Sequence, residues 1–310
     1  MSRVAVVFTG GTISMEPDPD AGGLRPILDG AAILARAPEA AQLADLDAID
    51  WGLVPASHLR FEQIIDIARV VSAALARPEI DGAVVVQGTD TLEETAFAFD
   101  LLVGGGKPVV VTGAMRDSTS PEYDGPANLR DAVACASNSL YADCVRVVMG
   151  GRVIPAEQAL KSHATDLDAF RVREGSHPLG PRKRLAGLPA AAVEDVHLVT
   201  AVVGMDGSIL RGVAATQPRG VVVAATGSGN TSLDLLDAAR ELMAAGTIVC
   251  LSTRTPGGSV DAVYAFPGGG ATWKQAGALI SRLDGPKTRV ALALALAAGY
   301  TRDQIAELIA

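Results

Sequence analysis

The chain has little aromatic content, few cysteines, no surplus of positive charge and no apolar run long enough to cross a bilayer. Aromatic residues make up 4% of its 310 residues, and Ala, Val and Leu carry the apolar content instead, a composition suited to helices packed closely on a parallel sheet. The 3 cysteines, Cys135, Cys144 and Cys250, are widely spaced and form no C-x-x-C pair. That pattern excludes a disulfide framework and a cysteine zinc site and leaves them as small buried hydrophobes. With 26 Lys and Arg against 35 Asp and Glu, the formal net charge is −9. Nucleic acid is thereby excluded as the main partner, because phosphate binding needs clustered cations. The longest apolar stretch, residues 290–298, falls far short of a membrane span. No basic segment, apolar h-region and small-residue cleavage site precedes the first apolar run, so a cytoplasmic location is the expectation.

What is present is an alternation of short apolar runs with amphipathic stretches. Residues 4–8, 83–87, 108–111 and 146–149 read as strands. Between them lies an expected helix over 60–77, with Ile64, Ile65, Ala68, Val71 and Leu75 on one face, then helices over 91–103 and 124–140. Gly104-Gly105-Gly106 is expected to end the second of these. A segment rich in Gly, Pro, Arg and Lys follows over 174–189 without hydrophobic periodicity, and marks a linker. Beyond it, strands are expected over 196–203, 220–224 and 247–251, and helices over 233–244, 273–283, 287–298 and 302–309. The expectation is therefore two α/β domains: a larger amino-terminal one over 1–173 with a mainly parallel sheet flanked by helices, a linker over 174–193, and a smaller α/β domain over 194–310.

Two strands stop at threonine-bearing loops. The first leads into Thr9-Gly10-Gly11-Thr12-Ile13-Ser14, and the second into Gly88-Thr89-Asp90-Thr91-Leu92-Glu93-Glu94. In a parallel sheet these loops open at the carboxyl ends of strands, where ligands bind. Gly11 and Gly88 let backbone N–H groups come close to a ligand, so each loop offers a hydroxyl nucleophile beside oxyanion donors. Thr12 either attacks a substrate or caps the next segment, as loop threonines commonly do. Thr91 and Glu94 have the S/T-x-x-E spacing of a capping box, which frees Asp90 for a ligand. Ser57 and His58 precede a helix amino terminus, a place suited to an anion. Gly-rich turns of this kind also cradle phosphates, but neither G-x-x-x-x-G-K-[ST] nor G-x-G-x-x-G follows the first strand.

Thr9-Gly10-Gly11-Thr12-Ile13 and Gly88-Thr89-Asp90-Thr91-Leu92-Glu93-Glu94-Thr95 resemble the two signature motifs of the bacterial-type L-asparaginases, including the asparaginase/glutaminases. The resemblance continues through Thr112-Gly113-Ala114-Met115-Arg116, Asp124-Gly125-Pro126-Ala127-Asn128-Leu129, Lys161-Ser162-His163-Ala164-Thr165-Asp166 and Gly227-Ser228-Gly229-Asn230. It implies the two-domain asparaginase-like fold and an amidohydrolase that releases ammonia from L-asparagine, or from L-glutamine, through an acyl-threonine. It implies Thr12 as the nucleophile, and Thr89 with Lys161 as a proton relay. Asp90 is implied to bind the substrate α-ammonium, Ser57 its α-carboxylate, and the Ala114 carbonyl its amide nitrogen. Gly11 and Gly88 line the site in the same reading, His58 is a wall by its position although the family commonly has glutamine there, and Asn230 contacts a neighbouring subunit of a homotetramer whose dimers share active sites. No metal or organic cofactor is implied.

Two departures stand out. The polar, turn-rich segment 14–26 reads as a mobile lid, which in the family carries a tyrosine; the match here is Leu24. The family's intersubunit glutamate has Asp261 as its nearest carboxylate. A hydrolase of another amide, a non-catalytic amino-acid binder and a nucleotide- or phosphate-binding protein are the competing readings.

Overall fold

A computed structural model describes residues 1–20, 22–103, 106–175 and 184–310. Gly104 and Gly105 of the expected helix stop, position 21 of the lid segment and residues 176–183 of the expected linker lie outside them. The chain divides into two compact units, Met1–Val172 and Arg173–Ala310.

In the first unit the strands are β1 (Ser2–Phe8), β2 (Met15–Asp18), β3 (Gly23–Pro26), β4 (Ala44–Asp50), β5 (Gly82–Val86), β6 (Val109–Thr112), β7 (Arg146–Met149), β8 (Arg152–Pro155), β9 (Ala159–Lys161) and β10 (Phe170–Val172). Its helices are α1 (Gly30–Ala35), α2 (Pro38–Leu43), α3 (Phe61–Leu75), α4 (Leu92–Leu102) and α5 (Gly125–Ala136). The main sheet has the order β4-β1-β5-β6-β7-β8. All neighbours in it are parallel except β7 and β8, whose tight turn forces an antiparallel pair. β5 and β6 are buried throughout, as expected of strands covered by helices on both faces. On one face α1, α2 and α5 close over Val4, Val6, Phe8, Val84 and Val110. On the other, α3 packs on β1 and β5 beside α4. β4 lies on one side of β1 and β5 on the other, so the strand order reverses at β1. The crevice between the loops after β1 and β5 is therefore a topological switch point, where ligands bind in open α/β sheets.

The second unit holds a parallel sheet, β11-β12-β13-β14, made of β11 (Val196–Thr200), β12 (Gly220–Ala225), β13 (Ile248–Thr253) and β14 (Leu279–Asp284). Around it lie α6 (Ser208–Ala214), α7 (Leu233–Ala244), α8 (Gly270–Ala276), α9 (Gly285–Ala297) and α10 (Arg302–Ile309). The expected helix over 273–283 is a misreading. Helix α8 ends at Gly277, whose φ of 104° is left-handed, and Leu279, Ser281 and Leu283 then alternate buried against half-buried neighbours as β14. Edge strand β4 is absent from the expected strands, although Ala44, Leu46 and Ala48 alternate with Asp45 and Asp47 as a half-buried strand does.

The three cysteines are buried, and burial pushes the Cys135 thiol up to about 11 and the Cys250 thiol to about 12, which keeps both as inert thiols. Among the described residues no helix is long and apolar enough to cross a membrane.

Candidate active site

The two threonine loops meet backbone to backbone. Gly11 has φ 93° and ψ −175°, a conformation open essentially to glycine alone. A Cβ placed on it would stand 2.2 Å from both the Cα and the N of Gly88. Gly88 has the same constraint in milder form, with a Cβ reaching 2.9 Å from the Ala56 Cβ. Two glycines at one crossing thus bring the residues that follow them, Thr12 and Thr89, to the same end of the sheet.

Thr12 begins a short 3-10 turn, Thr12–Ser14. Ser14 donates through both its N–H and its hydroxyl to the Gly11 carbonyl, at 2.9 and 2.7 Å. Tyr123 Oη donates to the Ile13 carbonyl at 3.0 Å. The Thr12 side chain is half-buried, and its hydroxyl has no hydrogen-bond partner among the described residues. The chain then enters the hairpin β2–β3, in which Leu24 pairs with Pro17 and is 46% exposed. Because a 3-10 turn and a hairpin follow β1, no helix amino terminus stands there to cradle a phosphate.

Thr89 is buried, and Lys161 Nζ, reaching in from β9, donates to its hydroxyl at 2.9 Å. The same ammonium pairs with Asp90 at 3.0 Å. The Lys161 side chain is 13% exposed and that of Asp90 71%, so a lysine that reads as surface from its polar surroundings is held inside, while its carboxylate partner faces solvent. The Glu93 carboxylate accepts from the Lys161 backbone N–H at 2.5 Å and fixes β9 against the amino terminus of α4. Thr91 is the residue before α4, yet its side chain makes no cap. Its hydroxyl donates instead to the Ala56 carbonyl at 3.0 Å, so the expected capping box with Glu94 does not form. That bond joins the Thr89 loop to the turn Ala56–His58, on which Ser57 and His58 are exposed.

Behind these loops Ala114 is fully buried and offers only its backbone. Its loop is clamped by Asp124, whose carboxylate accepts from the Met115 and Arg116 N–H groups at 3.0 Å. Asn128 donates to the Gly113 carbonyl at 3.1 Å and to Asp124 at 2.8 Å. Sequence reasoning assigned Asp124 and Asn128 only to a motif; their roles as clamps depend on contacts that spacing does not reveal. In the second unit Asn230 lies in the loop after β12, where Thr226 N–H and hydroxyl both donate to its carbonyl, at 3.0 and 2.8 Å. The described residues contain no cluster of three or more His, Cys, Asp or Glu side chains suited to a metal ion.

This arrangement pairs a free hydroxyl on a glycine-built turn with a second hydroxyl bound to an ammonium, a combination suited to attack on a carbonyl with proton transfer. Comparison with known proteins points the same way. A family model described as Asparaginase, N-terminal, matches residues 3–185, and one described as Glutaminase/Asparaginase C-terminal domain matches residues 195–309. The chain is 33% identical over 323 residues to a protein named Probable L-asparaginase from Deinococcus radiodurans, covering 98% of this chain and 96% of that protein. It is 33% identical over 175 residues to the Glutaminase-asparaginase of Acinetobacter glutaminasificans, covering 54% of this chain and 52% of the other. Among solved structures, the Probable Cytoplasmic L-asparaginase from Campylobacter jejuni superposes with a TM-score of 0.87 at 26% identity, covering 100% of this chain and 99% of that one.

Proposed function

The chain belongs to the asparaginase family, and from that premise we propose that it hydrolyses the side-chain amide of L-asparagine to the acid and ammonia through an acyl-enzyme on Thr12. The observation that carries the proposal is the 2.9 Å bond from Lys161 Nζ to the buried Thr89 hydroxyl, on a loop that abuts the one bearing Thr12.

Thr12 Oγ1 attacks the amide carbon and forms an ester as the C–N bond breaks. Its proton leaves with the departing ammonia. A water molecule then takes the place of the nucleophile, adds to the ester carbon and releases the acid, restoring the Thr12 hydroxyl. Thr89 and Lys161 carry the proton for both halves, a service typically worth about 10²- to 10⁴-fold. Backbone N–H groups of the Gly11–Thr12 and Gly88–Thr89 segments are the donors for the oxyanion.

Asp90, exposed beside Lys161, takes the α-ammonium of the substrate, and Ser57 takes its α-carboxylate. His58 forms a wall, and the Ala114 carbonyl accepts from the amide nitrogen. Holding both charged ends of a small amino acid fixes the amide at Thr12, which converts binding into orientation. L-Glutamine is the second substrate to try, since one relative is named a glutaminase-asparaginase. The assembly proposed is a homotetramer of dimers with Asn230 contacting a neighbouring active site. The exposed apolar residues Val203, Val263, Tyr264 and Phe266 of the second unit support burial against another copy. A cytoplasmic location is proposed from the likeness to the Campylobacter protein of that description.

A coupled ammonia assay across L-asparagine, L-glutamine, D-asparagine and larger amides tests the proposal. The highest kcat/KM is expected for L-asparagine, and no ammonia from either L-amide would contradict it.

A further inference from the structure

We infer that Tyr123 is a positioning residue for Thr12, acting through the Ile13 carbonyl. The inference rests on Thr12 being the nucleophile. The turn that carries Thr12 is short, and few bonds reach it from the rest of the fold. The Gly11 carbonyl is satisfied within the turn by Ser14. The Ser14 carbonyl is held by the Ile27 and Leu28 N–H groups, at 2.8 and 3.0 Å. Of the two carbonyls between these, that of Thr12 accepts from the Met15 N–H, and that of Ile13 accepts from Tyr123 Oη at 3.0 Å, a residue 110 positions away.

The tyrosine is itself held. Its ring packs against the core cluster that contains Ile13, Phe8 and Leu129. Gly125 leaves room for the ring at the start of α5: a Cβ there would lie 2.6 Å from Cε2, Cζ and Oη of Tyr123. The ring's direction, and with it the direction of the hydroxyl, depends on residue 125 having no side chain.

Of the chain's 4 tyrosines, Tyr123 is the one whose hydroxyl reaches this turn. Tyr141 lies under the Arg146 guanidinium, Tyr264 packs on Phe266, and the Tyr300 hydroxyl accepts from the Ala186 N–H. Leu24 in the hairpin carries no polar group and is 46% exposed. Because the Tyr123 O–H is committed to the Ile13 carbonyl, this residue is not the base; its effect reaches Thr12 through the backbone. A displacement of the nucleophile by about 1 Å is enough to cost roughly a hundredfold in rate.

The test compares four variants on L-asparagine. Tyr123→Phe keeps the ring and removes the bond, and kcat is expected to fall about tenfold or more with KM within about twofold. Gly125→Ala keeps the tyrosine and displaces its ring, and the same kcat-dominated loss is expected. Tyr300→Phe, remote from the turn, should match the wild type. Thr12→Ala should be inactive, and adding Tyr123→Phe to it should leave the substrate Kd unchanged. A Tyr123→Phe enzyme with kcat within twofold of the wild type, or with its loss carried in KM, overturns the positioning role if Thr12→Ala is inactive. Ammonia release at the wild-type rate by Thr12→Ala would instead overturn the nucleophile assignment.

Discussion

Replacing Lys161 by methionine separates catalysis from stability. The thioether chain follows the apolar stem of the lysine, so packing at β9 is largely kept. What is lost is one charge-assisted bond to the Thr89 hydroxyl and one pairing with Asp90. The first is worth about 1.5–3 kcal/mol as a hydrogen bond to a charged group. The second involves a carboxylate 71% exposed, which screening reduces to about 0–1 kcal/mol. A domain stable by about 5–15 kcal/mol remains folded after such a loss. The rate should respond far more. Without the ammonium the proton relay fails, and a fall in kcat of about 10²- to 10⁴-fold corresponds to about 3–5 kcal/mol of barrier. Ammonia release at saturating L-asparagine gives kcat, and a thermal melt of the same preparation gives the stability change. A variant that stays folded yet keeps kcat within about threefold of the wild type would remove Lys161 from the mechanism.

Thr12→Ala and Thr89→Val should each abolish ammonia release, and the double variant should be no slower than the worse single one, because the two hydroxyls act as a unit; multiplicative losses would show independent roles. Gly11→Ala should destabilise the chain by roughly 1–3 kcal/mol for its backbone conformation, with about 1–3 kcal/mol more for the backbone it meets at Gly88; chemical denaturation reads this, and a loss under about 0.5 kcal/mol would contradict the crossing of the two loops. Burial raises the Tyr123 phenol from 10.0 to about 12, with Asp124 adding to the effect and Arg36 opposing it. The folded form therefore holds this proton more tightly than the unfolded one, and the associated stability is present below pH 10.0 and lost as pH rises towards about 12. In alkaline denaturation, Tyr123→Phe should lack that component, and superposable wild-type and variant curves would refute it.

Strands β1, β5 and β6 are legible in the sequence because each carries a short unbroken run of buried residues with no competing helical period. The loops were legible for a related reason: glycine at Gly11 is demanded by a backbone crossing that no other residue permits, and Gly88 is crowded there by Ala56. Less legible were features whose signal is tertiary. Strand β14 looks helical until Gly277 is recognised as a left-handed stop. The Thr91 hydroxyl had two uses available, and the fold sends it to Ala56 rather than to its own helix. Lys161 sits in a polar stretch, and only the closure of β9 over Thr89 buries its side chain. Tyr123 carries no motif signal for its bond to Ile13, since the two are 110 residues apart.

The most direct test is peptide mapping by mass spectrometry of enzyme quenched with acid during turnover of L-asparagine. The peptide containing Thr12 should carry one added β-aspartyl group, with ammonia released in equal amount before the ester hydrolyses. The adduct should be absent from Thr12→Ala. An acyl group found on Thr89 instead, or ammonia release at the wild-type rate from Thr12→Ala, would contradict the assignment of Thr12 as the nucleophile.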